Sequence, residues 1–121
     1  MSTTKIIIAG GRDYEDYQGL ERDAGNVIES IPGRIEIVCG CAKGADTLGE
    51  QLATEFGYKI KKFPADWYKH GRAAGHIRNR EMAKYADILI AFWDGKSKGT
   101  NGMIHDALHE GLEVHVYRYT K

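Results

Sequence analysis

The sequence has only 2 prolines and 2 cysteines, no excess of either charge sign and no long apolar run. Each scarcity excludes something. Two prolines beside 15 glycines argue against a linker-like chain, so the glycine serves structure or binding. Two cysteines cannot staple a small secreted scaffold. Cys39 and Cys41 are expected to face opposite ways, which argues against a mutual disulfide. Lys plus Arg and Asp plus Glu each total 17, and a formal charge of zero disfavours a general nucleic-acid binder. No stretch approaches the ~18 apolar residues of a membrane span. The early run from Ile6 to Ala9 is too short for a leader. The expectation is a soluble, cytoplasmic protein with no membrane partner.

What remains is a chain of 121 residues with 42% apolar content, enough for one domain over residues 1–121. Lys5–Ala9 is β-branched and apolar and stops at Gly10 and Gly11, as a buried strand does before a tight loop. Residues 16–30 carry Leu20, Ala24, Val27 and Ile28 at helical steps, closed by Pro32 and Gly33. A second strand spans Ile35–Cys39. A helix follows from Asp46, with Leu48, Leu52, Ala53 and Phe56 as one stripe and Gly57 as its C-terminal cap. Tyr58–Phe63 is a more polar strand suited to an edge. Residues 72–85 predict a helix with Ile77, Met82 and Tyr85 inward. Ala86–Phe92 is a fourth strand, Trp93–Asn101 a polar loop, Gly102–Glu110 a helix and Glu113–Tyr119 a fifth strand. Strict β-α alternation implies a Rossmann-like three-layer α/β domain. The expected sheet has five mainly parallel strands in the order 3-2-1-4-5, with helices on both faces.

In such sheets ligands bind beyond the carboxyl ends of the strands. Three unusual loops fall there: Gly10-Gly11-Arg12-Asp13-Tyr14, then Gly40 to Asp46, then Asp94 to Gly102. Glycine lets backbone amides approach a ligand, and a helix N-terminus offers unpaired N–H groups and partial positive charge. Together they suit a phosphate. Read singly, each loop is a turn with a cap; three on one rim point to a ligand. The candidate ligand residues are Gly10, Gly11, Arg12, Asp13, Gly40, Lys43, Gly44, Asp46, Arg78, Asn79, Ser97, Gly99 and Thr100. Amides of Gly11, Gly99 and Thr100 with Arg12 would hold the phosphate, and Arg78 a second anionic group or the ribose. Asp46 also suits a helix cap, and Trp67 and Trp93 suit either packing or stacking on a base. Residues 59–80 hold seven bases against Asp66 alone, which fits a small anion or a solvated face.

Several motifs are missing. Gly95-Lys96-Ser97 resembles the end of a P-loop, but Ile90 stands where its first glycine belongs. No G-x-G-x-x-G occurs, so a dinucleotide cofactor is not expected; no cofactor is assigned. His105 and His109 share a helix face without the zinc-protease glutamate. The cysteines lack companions at zinc spacing, so no metal site is assigned either.

The ordered motifs Gly10–Tyr14, Gly40–Asp46, Phe63-Pro64-Ala65-Asp66-Trp67, Ala74–Met82 and Gly99-Thr100 make the chain resemble the SLOG superfamily. That superfamily includes the DprA/SMF proteins and the LOG cytokinin-activating phosphoribohydrolases, and the likeness is greatest to its YspA-like branch. Cys41 stands where that branch usually has a second glycine. The resemblance implies a Rossmann-like fold, a nucleotide or ADP-ribose-like ligand, and a homo-oligomer as one assembly. His76, Arg78 and Met82 fall on the LOG segment Met-His-x-Arg-Lys-x-x-Met, whose arginine assists N-glycosidic cleavage. Gly99 and Thr100 match Pro-Gly-Gly-x-Gly-Thr-x-x-Glu, but Met103 occupies the catalytic glutamate position. The alternative of a nucleoside 5'-monophosphate N-glycosidase therefore needs Asp13, Asp46 or Glu50 in that role beside a catalytic Arg78. A further alternative, single-stranded nucleic-acid binding as in DprA, would use the 59–80 bases with Trp67 and Tyr68.

Overall fold

A computed structural model describes residues 2–120. Five strands run in one sheet: β1 (Thr3–Gly10), β2 (Arg34–Cys39), β3 (Lys59–Lys62), β4 (Ile88–Trp93) and β5 (Glu113–Arg118). Their order is β3-β2-β1-β4-β5 and every pairing is parallel, as the alternating pattern implied. The helices are α1 (Tyr17–Ile28), α2 (Ala45–Phe56), the short α3 (Trp67–His70), α4 (Ala74–Tyr85) and α5 (Lys98–His109).

The central strand shows why the sheet is covered twice. Ile6, Ile7 and Ile8 are all fully buried, although neighbours on a strand face opposite ways. Ile6 and Ile8 pack with Leu20, Val27 and Leu52 of α1 and α2. Ile7 and Ala9 pack with Met82, Met103 and Ala107 of α4 and α5. The rims differ. β3 reads Lys-Ile-Lys-Lys with its lysines exposed, which protects an open edge from further pairing.

Several local expectations shift. Phe56 does not join the α2 stripe; it is 51% exposed and stacks on Tyr58 at 6.0 Å between ring centroids. Ile77 and Tyr85 are only half-buried. The last helix starts at Lys98 rather than Gly102. Asp94 Oδ1 accepts from Lys96 N and Ser97 N, each at 2.8 Å, and Ser97 Oγ accepts from Thr100 N at 3.4 Å. This polar turn nucleates the helix a turn early, in spite of its glycines. A short helix at Trp67–His70, capped by Asp66 through Lys69 N, had no apolar periodicity to reveal it.

Candidate functional site

β1 connects through α1 to β2 on one side and lies beside β4 on the other, so the chain's direction of winding reverses between β1 and β4. A crevice opens at that switch point, beyond the carboxyl ends of the strands. Gly11 fixes its base. Its N–H donates to Phe92 O at 3.1 Å, and its carbonyl accepts from Tyr14 N and Ala45 N, both at 3.2 Å. One residue thereby ties the ends of β1 and β4 to the start of α2. The crevice encloses about 680 Å³.

Ten of the thirteen candidate residues line this crevice: Gly10, Gly11, Arg12, Asp13, Asp46, Arg78, Asn79, Ser97, Gly99 and Thr100. Gly40 and Lys43 instead line an adjoining hollow of about 330 Å³, which shares Arg12, Ala42, Trp67 and Arg78 with the first. Gly44 lines neither and sits packed under the first loop. The three glycine-rich turns therefore meet around one opening, but the expected cradle changes in detail. The Gly11 N–H already serves Phe92, and the Thr100 N–H already serves Ser97. The α5 amides that helix geometry leaves without an intrahelical partner and without a capping bond are those of Lys98 and Gly99.

Arg78, on α4, reaches across to the second loop. Its Nη1 donates to Gly40 O, and its Nε donates to Asn79 Oδ1 at 2.9 Å. Asn79 Nδ2 in turn donates to Gly99 O at 3.4 Å. Arg78, expected to meet a second anionic group or the ribose, is a brace joining the second loop, α4 and the start of α5. Two N–H groups on Nη2 and one on Nη1 remain for a ligand.

Asp46 is not the residue that caps α2; Gly44 holds that position without a side-chain bond. The Asp46 carboxylate folds back to accept from Ala42 N at 3.2 Å and is 5% exposed. Burial pushes its pKa up to about 6. The Ala42 amide, the Arg78 charge and the Gly40 amide oppose that rise, and Glu50 adds to it. A carboxyl of this kind, beside a guanidinium and facing a crevice, can exchange a proton near neutrality. Asp13 is engaged otherwise: Tyr119 donates its hydroxyl to Asp13 Oδ1 at 2.7 Å. Glu50 pairs with Lys62 at 3.3 Å, outside the crevice lining. Met103, at the position of the LOG glutamate, is buried against the crevice floor.

The lining also holds residues that the motifs did not single out for it. Arg72, Lys96 and Lys98 join Arg12 and Arg78, giving five basic side chains around the opening beside Asp13, Asp46 and Asp94. Lys96 and Lys98 were legible as the bases flanking Ser97. Arg72 lay within the basic segment, of which Arg78 is the other member to reach the crevice; Lys59, Lys61 and Lys62 occupy the β3 edge. The two tryptophans separate. Trp67 lines the crevice with 55% of its surface exposed. Trp93 donates its indole N–H to Ser97 O at 3.0 Å and lies under the Arg118 guanidinium, so its role is packing.

A family model described as YspA, cpYpsA-related SLOG matches residues 4–70, more than half of the chain. The chain belongs to this SLOG family. It is also similar to the gene 61 protein of Mycobacterium phage D29, 30% identical over 116 residues that cover 91% of this chain and 93% of the phage protein. The SLOG match contains the first two glycine loops and Phe63–Trp67, while Arg78 and the Gly99-Thr100 turn lie beyond it. Among the described residues of this SLOG chain, no helix is long and apolar enough to cross a membrane. His105 and His109 are both exposed on α5.

Proposed function

We propose that this SLOG chain is a single binding unit for a nucleotide or an ADP-ribose-like phosphate ligand, seated in the β1/β4 crevice. The observation that carries the reading is a crevice lined by five basic against three acidic side chains, with the first turn of α5 on its wall, in a protein whose formal charge is zero. A phosphate sits on the Lys98 and Gly99 amides and is forked by Arg12. The ribose or a second phosphate meets the free face of Arg78. The base lies against Trp67, whose exposed ring offers a stacking surface.

Gly99 separates binding from folding. A Cβ there would meet nothing within 4 Å, so it would project into open space. Gly99→Ala is expected to leave stability unchanged or raise it by up to about 1 kcal/mol, because alanine favours helix. The same methyl crowds a phosphate on the helix end and is expected to weaken ligand affinity by about tenfold, roughly 1.4 kcal/mol. Thermal shift against a panel of nucleoside phosphates and ADP-ribose, run on both proteins, reads the two effects together. No stabilisation of the unmodified protein by any panel member at millimolar concentration would overturn the reading.

One observation favours a second reading, hydrolysis of a nucleotide's N-glycosidic bond. Asp46 is the carboxyl that is buried, raised in pKa and adjacent to Arg78. It takes the role left open by Met103, whereas Asp13 and Glu50 are held by Tyr119 and Lys62. Release of free base from nucleoside monophosphates, abolished in Asp46→Asn with ligand binding retained, is the expected signature. Absence of base release from the unmodified protein excludes it.

A further inference from the structure

We propose that Cys39, Cys41 and Glu50 form a binding site for one thiophilic divalent cation, zinc by preference, at the carboxyl end of β2. The three side chains come from two elements. Cys39 ends β2, Cys41 follows two residues later, and Glu50 projects from the second turn of α2. Their donor atoms all lie within 4.8 Å of one another. The two sulfurs are 3.8 Å apart. That is the separation of two thiolates on one tetrahedral zinc, since bonds of about 2.3 Å at the tetrahedral angle place the sulfurs ~3.8 Å from each other.

The expectation that the cysteines face opposite ways is corrected here. Residues two apart on a strand share a face, and Cys41 lies just past the strand at φ 62°. Among the described residues it is the one non-glycine with positive φ. That backbone, which disfavours any side chain, turns its sulfur back over Cys39. Cys39 is fully buried, Glu50 half-buried and Cys41 exposed, so the cluster opens to solvent on one side. Three protein donors with one open side match a zinc site that keeps its fourth position for water. Lys62 Nζ stands 3.3 Å from Glu50 Oε1, on the solvent side of the cluster. A carboxylate has acceptor capacity on both oxygens, so the ion pair and a metal bond are compatible. Binding releases the two thiol protons to solvent as two metal–sulfur bonds form. Burial pushes the Cys39 thiol up, and a divalent charge at the sulfur reverses that preference.

Sequence spacing concealed the set because Glu50 is adjacent only in space. None of the three residues lines the larger crevice, although Cys41 lines the adjoining hollow beside Gly40 and Lys43; the cobalt readout needs no nucleotide, so the two readings fail separately. The probe is Co²⁺ added to the full chain, reduced and held free of oxygen. The expected result is one-to-one uptake with a near-ultraviolet sulfur-to-cobalt charge-transfer band and the visible bands of a tetrahedral ion, bleached by Zn²⁺. Cys41→Gly removes one sulfur while relieving the backbone, so it keeps the fold and loses the band. Glu50→Gln keeps both sulfurs and binds more weakly. Failure of the reduced protein to give the band, or a band unchanged in Cys41→Gly, overturns the proposal. So does a Cys39–Cys41 disulfide formed in air by a protein that takes up no cobalt once reduced.

Discussion

Replacing Gly44 with alanine is expected to cost about 3 kcal/mol of stability or more. Gly44 stands at φ 78° and ψ −126°, a region open to glycine alone. The new Cβ would fall 2.1 Å from Gly11 O and 2.6 Å from the carbonyl carbon of Arg12. Both are backbone, so neither can rotate aside. Gly11 is moreover the residue that ties β1, β4 and α2 together, so relief of the clash must loosen that junction. Gly57→Ala provides the control. Its φ is also positive, at 73°, but ψ is 24° and a Cβ there meets nothing within 4 Å. Only the ordinary left-handed penalty of about 1 kcal/mol applies. Urea denaturation of the two variants checks the difference, and equal losses would show that the contact with Gly11 is not what demands glycine.

Asp46→Asn is expected to change how stability depends on pH. The folded-state pKa of about 6 lies above the ordinary aspartate value, so the folded protein binds this proton more tightly than the unfolded chain. The contribution is therefore fully present below about pH 4 and is lost as pH rises through about 6. About two pH units correspond to roughly 3 kcal/mol. Asparagine keeps the shape without the buried charge. The stability of Asp46→Asn relative to the unmodified protein should thus grow by about 2–3 kcal/mol between about pH 4 and pH 7. Denaturant titrations across that range measure it. A difference flat with pH would place the charge in water rather than under the second loop.

The sheet was legible because its signals are redundant. Ile6–Ile8 and Leu89–Ala91 are buried on both faces, and such strands read as unbroken apolar runs. Their regular alternation with helical patterns leaves few topologies. The position of the crevice followed from strand ends and glycine, and the three turns do meet around it. What escaped was decided by individual hydrogen bonds. No pattern says that the Gly11 amide is consumed by Phe92, or that the Thr100 amide is consumed by Ser97. The early start of α5 depends on the Asp94 turn, which outweighs the poor helix propensity of Gly99. Phe56 shows the limit of periodicity: it has the right phase, but it lies at the last position of α2, where the aromatic Tyr58 covers it instead of the core. The Cys39, Cys41 and Glu50 grouping needed the packing of α2 against the sheet before it existed at all.

The chain of bonds from Gly40 through Arg78 and Asn79 to Gly99 makes neighbours of segments far apart in sequence. Evolution cannot retune one bank of the opening without disturbing the other. Substitutions on the two sides will combine non-additively, and the opening would have to be reshaped by concerted change rather than one residue at a time.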